Sequence, residues 1–217
     1  MRLSKNVVSV ILLLLILNLC LPQFALAQKA GKDKKLSGTP VLWRDPGDIS
    51  SRDLTYGPGS ERRAPAAPFT FIEEDKDGES PKFAIKDARG VEWRVKLGPE
   101  AQSETVATRL VWAVGYFAEE AYYFDRARIS GLPRLSRGRQ YVEGREVVRG
   151  VRFEPRRKEV KRGPTWDWDN NPFKGRRELS GLKVLMILLN NFDARKENNR
   201  IFYVETEGGG REGRYVV

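Results

Sequence analysis

Asp193 is followed five positions later by Asn198, with Arg195 and Lys196 between them, in the run Asn190-Asn191-Phe192-Asp193-Ala194-Arg195-Lys196-Glu197-Asn198-Asn199-Arg200. A carboxylate and an amide at that spacing, between an apolar helix and a short strand, suit phosphoryl transfer. The carboxylate orients an attacking hydroxyl, the amide oxygen holds a metal ion on the phosphates, and Arg195 or Lys196 steadies the terminal phosphate. The same spacing arises in Asp/Asn-rich turns that cap a helix, so the surrounding elements must decide between the two. Composition narrows the chemistry from the other side. The 217 residues include no histidine and one cysteine, Cys20. That excludes Ser-His-Asp and Cys-His nucleophilic systems and histidine zinc sites. It also excludes an internal disulfide, a Cys-rich zinc site and an iron–sulfur cluster. Phosphoryl transfer and sugar chemistry need none of these.

The elements that would position the loop are legible on both sides. Glu178 to Asn191 predicts a helix in which Leu179, Leu182, Val184, Leu185, Met186, Ile187, Leu188 and Leu189 wrap nearly the whole circumference. A helix apolar all round calls for cover on every side. Leaving four large side chains bare would forgo about 6–12 kcal/mol of burial, which rivals the stability of a whole domain. The expectation is that something covers it, most simply more of the same domain. Ile201 to Val204 follows as a strand.

Upstream, Phe69–Ile72, Phe83–Asp87 and Val91–Leu97 predict an antiparallel three-strand meander, with turns at Asp75–Gly78 and Ala88–Gly90. Val91, Trp93, Val95 and Leu97 alternate with Glu92, Arg94 and Lys96, the period of a half-buried strand. Ser103, as N-cap, opens a helix to Phe117 whose apolar face is Val106, Leu110, Val114 and Phe117, widened by Val111 and Trp112. A further strand covers Ala121–Phe124. The pattern is α+β. Lys96 then stands on the third strand and Glu104 near the start of the helix. Taken singly, they read as an exposed strand lysine and a first-turn acid complementing the helix dipole.

The remaining segments concern address and surface. Residues 1–27 read as a secretory signal: Arg2 and Lys5, an apolar run from Val7 to Leu21, then Ala25-Leu26-Ala27 as the cleavage site. The run is shorter than the roughly 20 residues of a spanning helix, so no transmembrane segment is expected after cleavage. The mature chain of 190 residues then carries no cysteine, which suits a secreted or periplasmic location. Residues 28–68, with four lysines, five prolines and the cluster Tyr56-Gly57-Pro58-Gly59-Ser60, read as flexible linker. Residues 126–163 hold 13 basic against four acidic side chains. They read as a solvated hairpin surface or as a site for an anionic partner. Nucleic acid is disfavoured there, because only Tyr141 and Phe153 offer stacking. Trp166-Asp167-Trp168-Asp169 reads as a loop pinned by its tryptophans, with grip on a sugar or cation as the alternative.

Trp93-Arg94-Val95-Lys96, Glu104 to Leu110 with Gly115-Tyr116, and Asn191-Phe192-Asp193 to Asn199 resemble the atypical protein-kinase-like fold shared by HipA-type, phosphoinositide and secreted or spore-coat kinases. The chain is similar, too, to a group of bacterial secreted proteins with the same order of segments. The resemblance covers residues 81–117 and 178–204. It implies a small lobe, an antiparallel sheet plus one helix over 69–163 with a basic insertion. The start of a helical large lobe follows over 164–217. It implies ATP and Mg, with Lys96 on the ATP phosphates, Glu104 paired to Lys96, Asp193 as the catalytic carboxylate and Asn198 as a metal ligand. Arg195 and Lys196 would lie against the nucleotide. The chain departs from the pattern in lacking a glycine-rich loop between the first two strands, where only Gly78 stands. It also has Asn191-Phe192 where the pattern has His-Arg. The second metal-binding Asp should follow the strand Arg214–Val217, and its lack removes charge stabilisation that phosphoryl transfer depends on. The expectation is a fragment, or a degenerate relative, that does not itself transfer phosphate. The competing expectation is a non-catalytic envelope protein binding an anionic partner through residues 126–163, to which the scarcity of ATP outside the cytoplasm lends weight.

Overall fold

The computed structural model describes residues 37–156, 161–191 and 193–217. The expected signal segment, Cys20 and the lysine-rich run before Leu36 lie outside the described residues. The fold is α+β, with two sheets and two α-helices among the described residues.

The meander forms as its alternation requires: β2 (Phe69–Asp75), β3 (Lys82–Lys86) and β4 (Glu92–Leu97) pair antiparallel in sequence order. After helix α1 (Ala101–Ala113), β5 (Tyr122–Ser130) runs parallel to β2. Strand β7 (Val147–Pro155) pairs with β5, with the short β6 (Val142–Glu143) and with β4. The β4–β7 pairing closes the sheet on itself as a five-strand ring, β4-β3-β2-β5-β7. Closure removes the open edge that a meander would leave. Phe83, Ile85, Trp93, Val95, Val151 and Phe153 fill it as the first core. Val91, expected on the same face, precedes the strand and stays exposed.

Residues 37–68 correct the expectation of a linker. β1 (Thr39–Val41) adds in parallel to β10 (Arg211–Val216), and Leu42 is buried. Short 3-10 turns at Ile49–Ser51, Gly57–Gly59 and Glu61–Arg63 then lead over α1 to β2. A Cβ on Gly59 would stand 1.8 Å from the Tyr122 hydroxyl. The glycines there allow close packing of backbone on side chain. Few apolar residues suffice because the segment lies on a core built by others.

The second sheet is β1-β10-β9-β8, from β9 (Arg200–Glu205) and β8 (Lys161–Arg162). Its face packs on α2 (Arg177–Leu188) through Leu42, Leu179, Leu182, Met186, Ile201 and Tyr215. Residues 164–217, expected to open a helical lobe, thus contribute one helix and the β9–β10 hairpin.

Both helices differ from expectation in the face they bury. α1 begins after Glu100, whose side chain makes no cap; Ser103 lies inside, its hydroxyl donating to the Glu100 carbonyl at 3.0 Å. The buried positions are Ala101, Thr105, Val111 and Ala113, while Val106 and Leu110 face out. Small residues let the helix approach β5 and β7 closely. α2 buries Leu179, Leu182 and Met186, but Val184, Ile187 and Leu188 are exposed, Ile187 at 77%. The cover expected all round that helix is absent among the described residues.

Candidate active site

Lys96 and Glu104 meet. Lys96 Nζ donates to Glu104 Oε1 at 2.5 Å. Gly98 and the start of α1 turn the chain back so that the first helical turn sits beside the end of β4. Alternation puts Lys96 on the outer face of β4, opposite the buried Val95 and Leu97. The two separate readings, a strand lysine and a dipole-complementing acid, merge into one charge-assisted hydrogen bond.

A residue the sequence reading missed joins them. Arg152 of β7 stands opposite Lys96 in the ladder. Its Nη1 lies 2.7 Å from Glu104 Oε2, off the line of a hydrogen bond, so the contact is ionic. Arg152 also grips Glu154. The alternation of Val151 and Phe153 inward with Arg152 and Glu154 outward was readable. The register that brings β7 beside β4 was not.

The same face of β4 leads into a cleft of about 520 Å³ between the two sheets. Glu92 and Arg94 line it from β4, Glu154 and Pro155 from β7, and Phe202 and Val204 from β9. Arg214, Val216 and Phe117 complete the wall. The lining mixes apolar and charged side chains. Two guanidinium groups lie over aromatic rings: Arg162 5.6 Å from the Phe202 centroid and Arg214 5.2 Å from that of Phe117.

The loop after α2 holds Asp193, Arg195 and Asn198 together. Asn198 Nδ2 donates to the Asp193 carbonyl at 2.8 Å. Asp193 N–H donates to Asn191 Oδ1, and Arg195 Nε lies 3.3 Å from the Asp193 carboxylate. That pair is mostly exposed. Asn199 is buried and committed to the Trp166 carbonyl. Among the described residues, no hydrogen bond or ion pair joins this loop to Lys96 or Glu104, and no group of three His, Cys, Asp or Glu side chains is placed to hold a metal alone.

The tryptophan loop is pinned as expected. Trp166 Nε1 donates to the Val216 carbonyl at 2.9 Å and its ring packs on Trp168 and Tyr215. The N–H of Asp169 lowers the Asp167 carboxyl from its ordinary value against a smaller effect of burial; the N–H of Asn170 and the charge of Lys196 add to it. Several arginines of the basic segment have partners. Arg126 and Arg149 hold Glu143, Arg128 faces Glu146, Arg156 faces Glu73, and Arg137 donates to the carbonyls of Asp75, Gly78 and Glu79.

Compared with models of protein families, with curated proteins and with solved structures, the chain matches none. No helix among the described residues is long and apolar enough to cross a membrane.

Proposed function

We propose that this exported chain carries the nucleotide-binding elements of an ATP-dependent phosphotransferase. The observation that carries the reading is the Lys96–Glu104 bond at 2.5 Å between a strand and the helix that follows it; Glu92 and Arg94 of the same strand line the cleft, which Lys96 and Glu104 do not themselves line. In this reading Lys96 meets the α and β phosphates and the cleft takes the base. Asp193 orients the accepting hydroxyl, Asn198 Oδ1 holds Mg, and Arg195 and Lys196 face the phosphates. When bound, ATP supplies the phosphoryl group and Mg neutralises charge that builds on it. The ion pairs that Arg126, Arg128, Arg149 and Arg156 make with Glu143, Glu146 and Glu73 weigh against the competing reading, a surface for an acidic polymer, because those carboxylates would compete with it.

Calorimetric titration of the mature chain with ATP–Mg tests this. Binding is expected, and Lys96→Met should weaken it about tenfold or more, the loss of one charged hydrogen bond. Absence of binding at millimolar ATP overturns the reading. Equal affinity for ATP and inorganic tripolyphosphate, indifferent to Lys96, favours the anionic-partner reading.

A further inference from the structure

The outer face of β4 and β7 carries a chain of alternating charge. Asp75 lies 3.9 Å from Arg94 Nε, Arg94 Nη1 lies 3.7 Å from Glu154, and Glu154 is held by Arg152. Arg152 reaches Glu104 at 2.7 Å, and Glu104 holds Lys96. The β4–β7 register creates it, setting Arg94 opposite Glu154 and Lys96 opposite Arg152. Each carboxylate inside the chain therefore has two cations.

The two cations on Glu104 differ. Arg152 is fixed: its side chain is 14% exposed, clamped between two carboxylates, with Nε buried and unpartnered. Lys96 is the open end of the chain. Its further neighbour is Glu100, at 4.0 Å and well exposed. A lysine has a flexible stem and a compact charge, whereas the guanidinium fork is held by its geometry. In an isolated Lys–Glu pair, turning the lysine to a ligand would strand the half-buried glutamate, which is costly. Here it would not, because Glu104 Oε2 keeps Arg152.

We propose that Arg152 is a positioning residue: it anchors Glu104 so that Lys96 can exchange that carboxylate for the phosphates of the ligand. This rests on the phosphotransferase reading. Without Arg152, Glu104 can turn both oxygens to Lys96 and compete with the ligand for it. Arg152→Gln is a fair test, since Glu154 keeps Arg94 and Glu104 keeps Lys96, leaving no acid orphaned.

The experiment measures ATP–Mg affinity by calorimetry, and adenosine binding by saturation-transfer NMR, for the wild-type chain, Arg152→Gln and Arg152→Lys. The expected result is a loss of about tenfold in ATP affinity for Arg152→Gln, with adenosine binding unchanged and Arg152→Lys restoring part of the loss. Parallel loss of ATP and adenosine, or no rescue by lysine, overturns the inference and marks Arg152 as merely structural. Wild-type binding of ATP that Arg152→Gln leaves intact overturns it alone. A wild-type chain that binds neither ligand overturns the phosphotransferase reading, and this inference with it.

Discussion

A single buried carboxylate shows how polar residues hold this molecule together. Asp87 closes the turn between β3 and β4: its Oδ1 accepts the N–H groups of Arg89 and Val91, each at 2.9 Å, and its Oδ2 faces the Ala66 N–H at 3.3 Å and Arg89 Nη2 at 3.6 Å. Its side chain has no exposure to solvent. Arg89 reaches on to the Arg62 and Ala64 carbonyls, so the pair ties the 3-10 turn at 61–63 to the sheet. Removing the acceptor leaves three partly buried backbone donors without their partner and a cavity where the buried carboxylate stood, which costs more than a single hydrogen bond gains. Asp87→Ala should lose about 2–4 kcal/mol in urea unfolding, while Asp45→Ala, whose carboxylate caps an exposed turn, should lose well under half of that. Equal losses would show that the Asp87 cluster is not a structural tie. At this scale the sequence was informative about Lys96 and Glu104, because strand alternation and one helical turn are local. It was silent on Arg152, whose role depends on a pairing between strands more than fifty residues apart.

At the scale of elements, the composition of α2 predicts a fully enclosed helix, and the structure encloses half of it. The second core takes Leu179, Leu182 and Met186 at helical spacing, with Tyr116 lying across the helix start and donating to the Glu178 carbonyl at 2.7 Å. Gly181 makes room, since a Cβ there would stand 2.7 Å from that hydroxyl. Burial, and then the charge of Glu178, raise the Tyr116 phenol from its ordinary value, so it stays a donor well into alkaline solution. Periodicity cannot say which side of such a helix is buried, because every side is apolar; for α1 it misled in the opposite sense, favouring Val106 and Leu110 over the small residues that face β5 and β7. The two sides of α2 should therefore answer differently. Leu182→Ala should cost about 2–5 kcal/mol, and Ile187→Lys should lie within about 0.5 kcal/mol of the wild type, both by urea unfolding monitored by circular dichroism. A large loss for Ile187→Lys would mean that the outer side of α2 is buried in solution.

At the scale of the whole molecule, two cores meet along a seam made of α1, whose Val111 lies in the second core, and of the short stretch that follows it. Gly115, Tyr116 and Phe117 meet the second sheet through the Trp43–Tyr116 and Phe117–Val216 bridges. The Arg44 N–H donates to the Gly115 carbonyl at 3.0 Å, and Trp43 Nε1 donates to that of Val114 at 2.7 Å. Phe117 also walls the cleft and lies under Arg214, so whatever loosens the seam must disturb the cleft. Gly115 is its tightest point. Its φ of +95° is one that side chains rarely adopt, and a Cβ would stand 2.1 Å from the Arg44 carbonyl oxygen and 2.5 Å from Trp43 Nε1. The closed β4-β3-β2-β5-β7 ring does not depend on this contact, whereas β1 and β10 do. Gly115→Ala should thus cost about 2–4 kcal/mol, and the loss should be uneven. Hydrogen exchange should accelerate first in β1, β9 and β10 and leave β3 and β4 protected, because local opening follows the weakest cooperative unit. On the phosphotransferase proposal, ATP–Mg affinity should fall with it, since Val216 and Phe117, which both line the cleft, would part. Uniform loss of protection across both sheets would mean that the molecule unfolds as one unit and that the seam transmits rather than divides; intact nucleotide binding in a variant that opens β10 would separate the cleft from the site of Lys96.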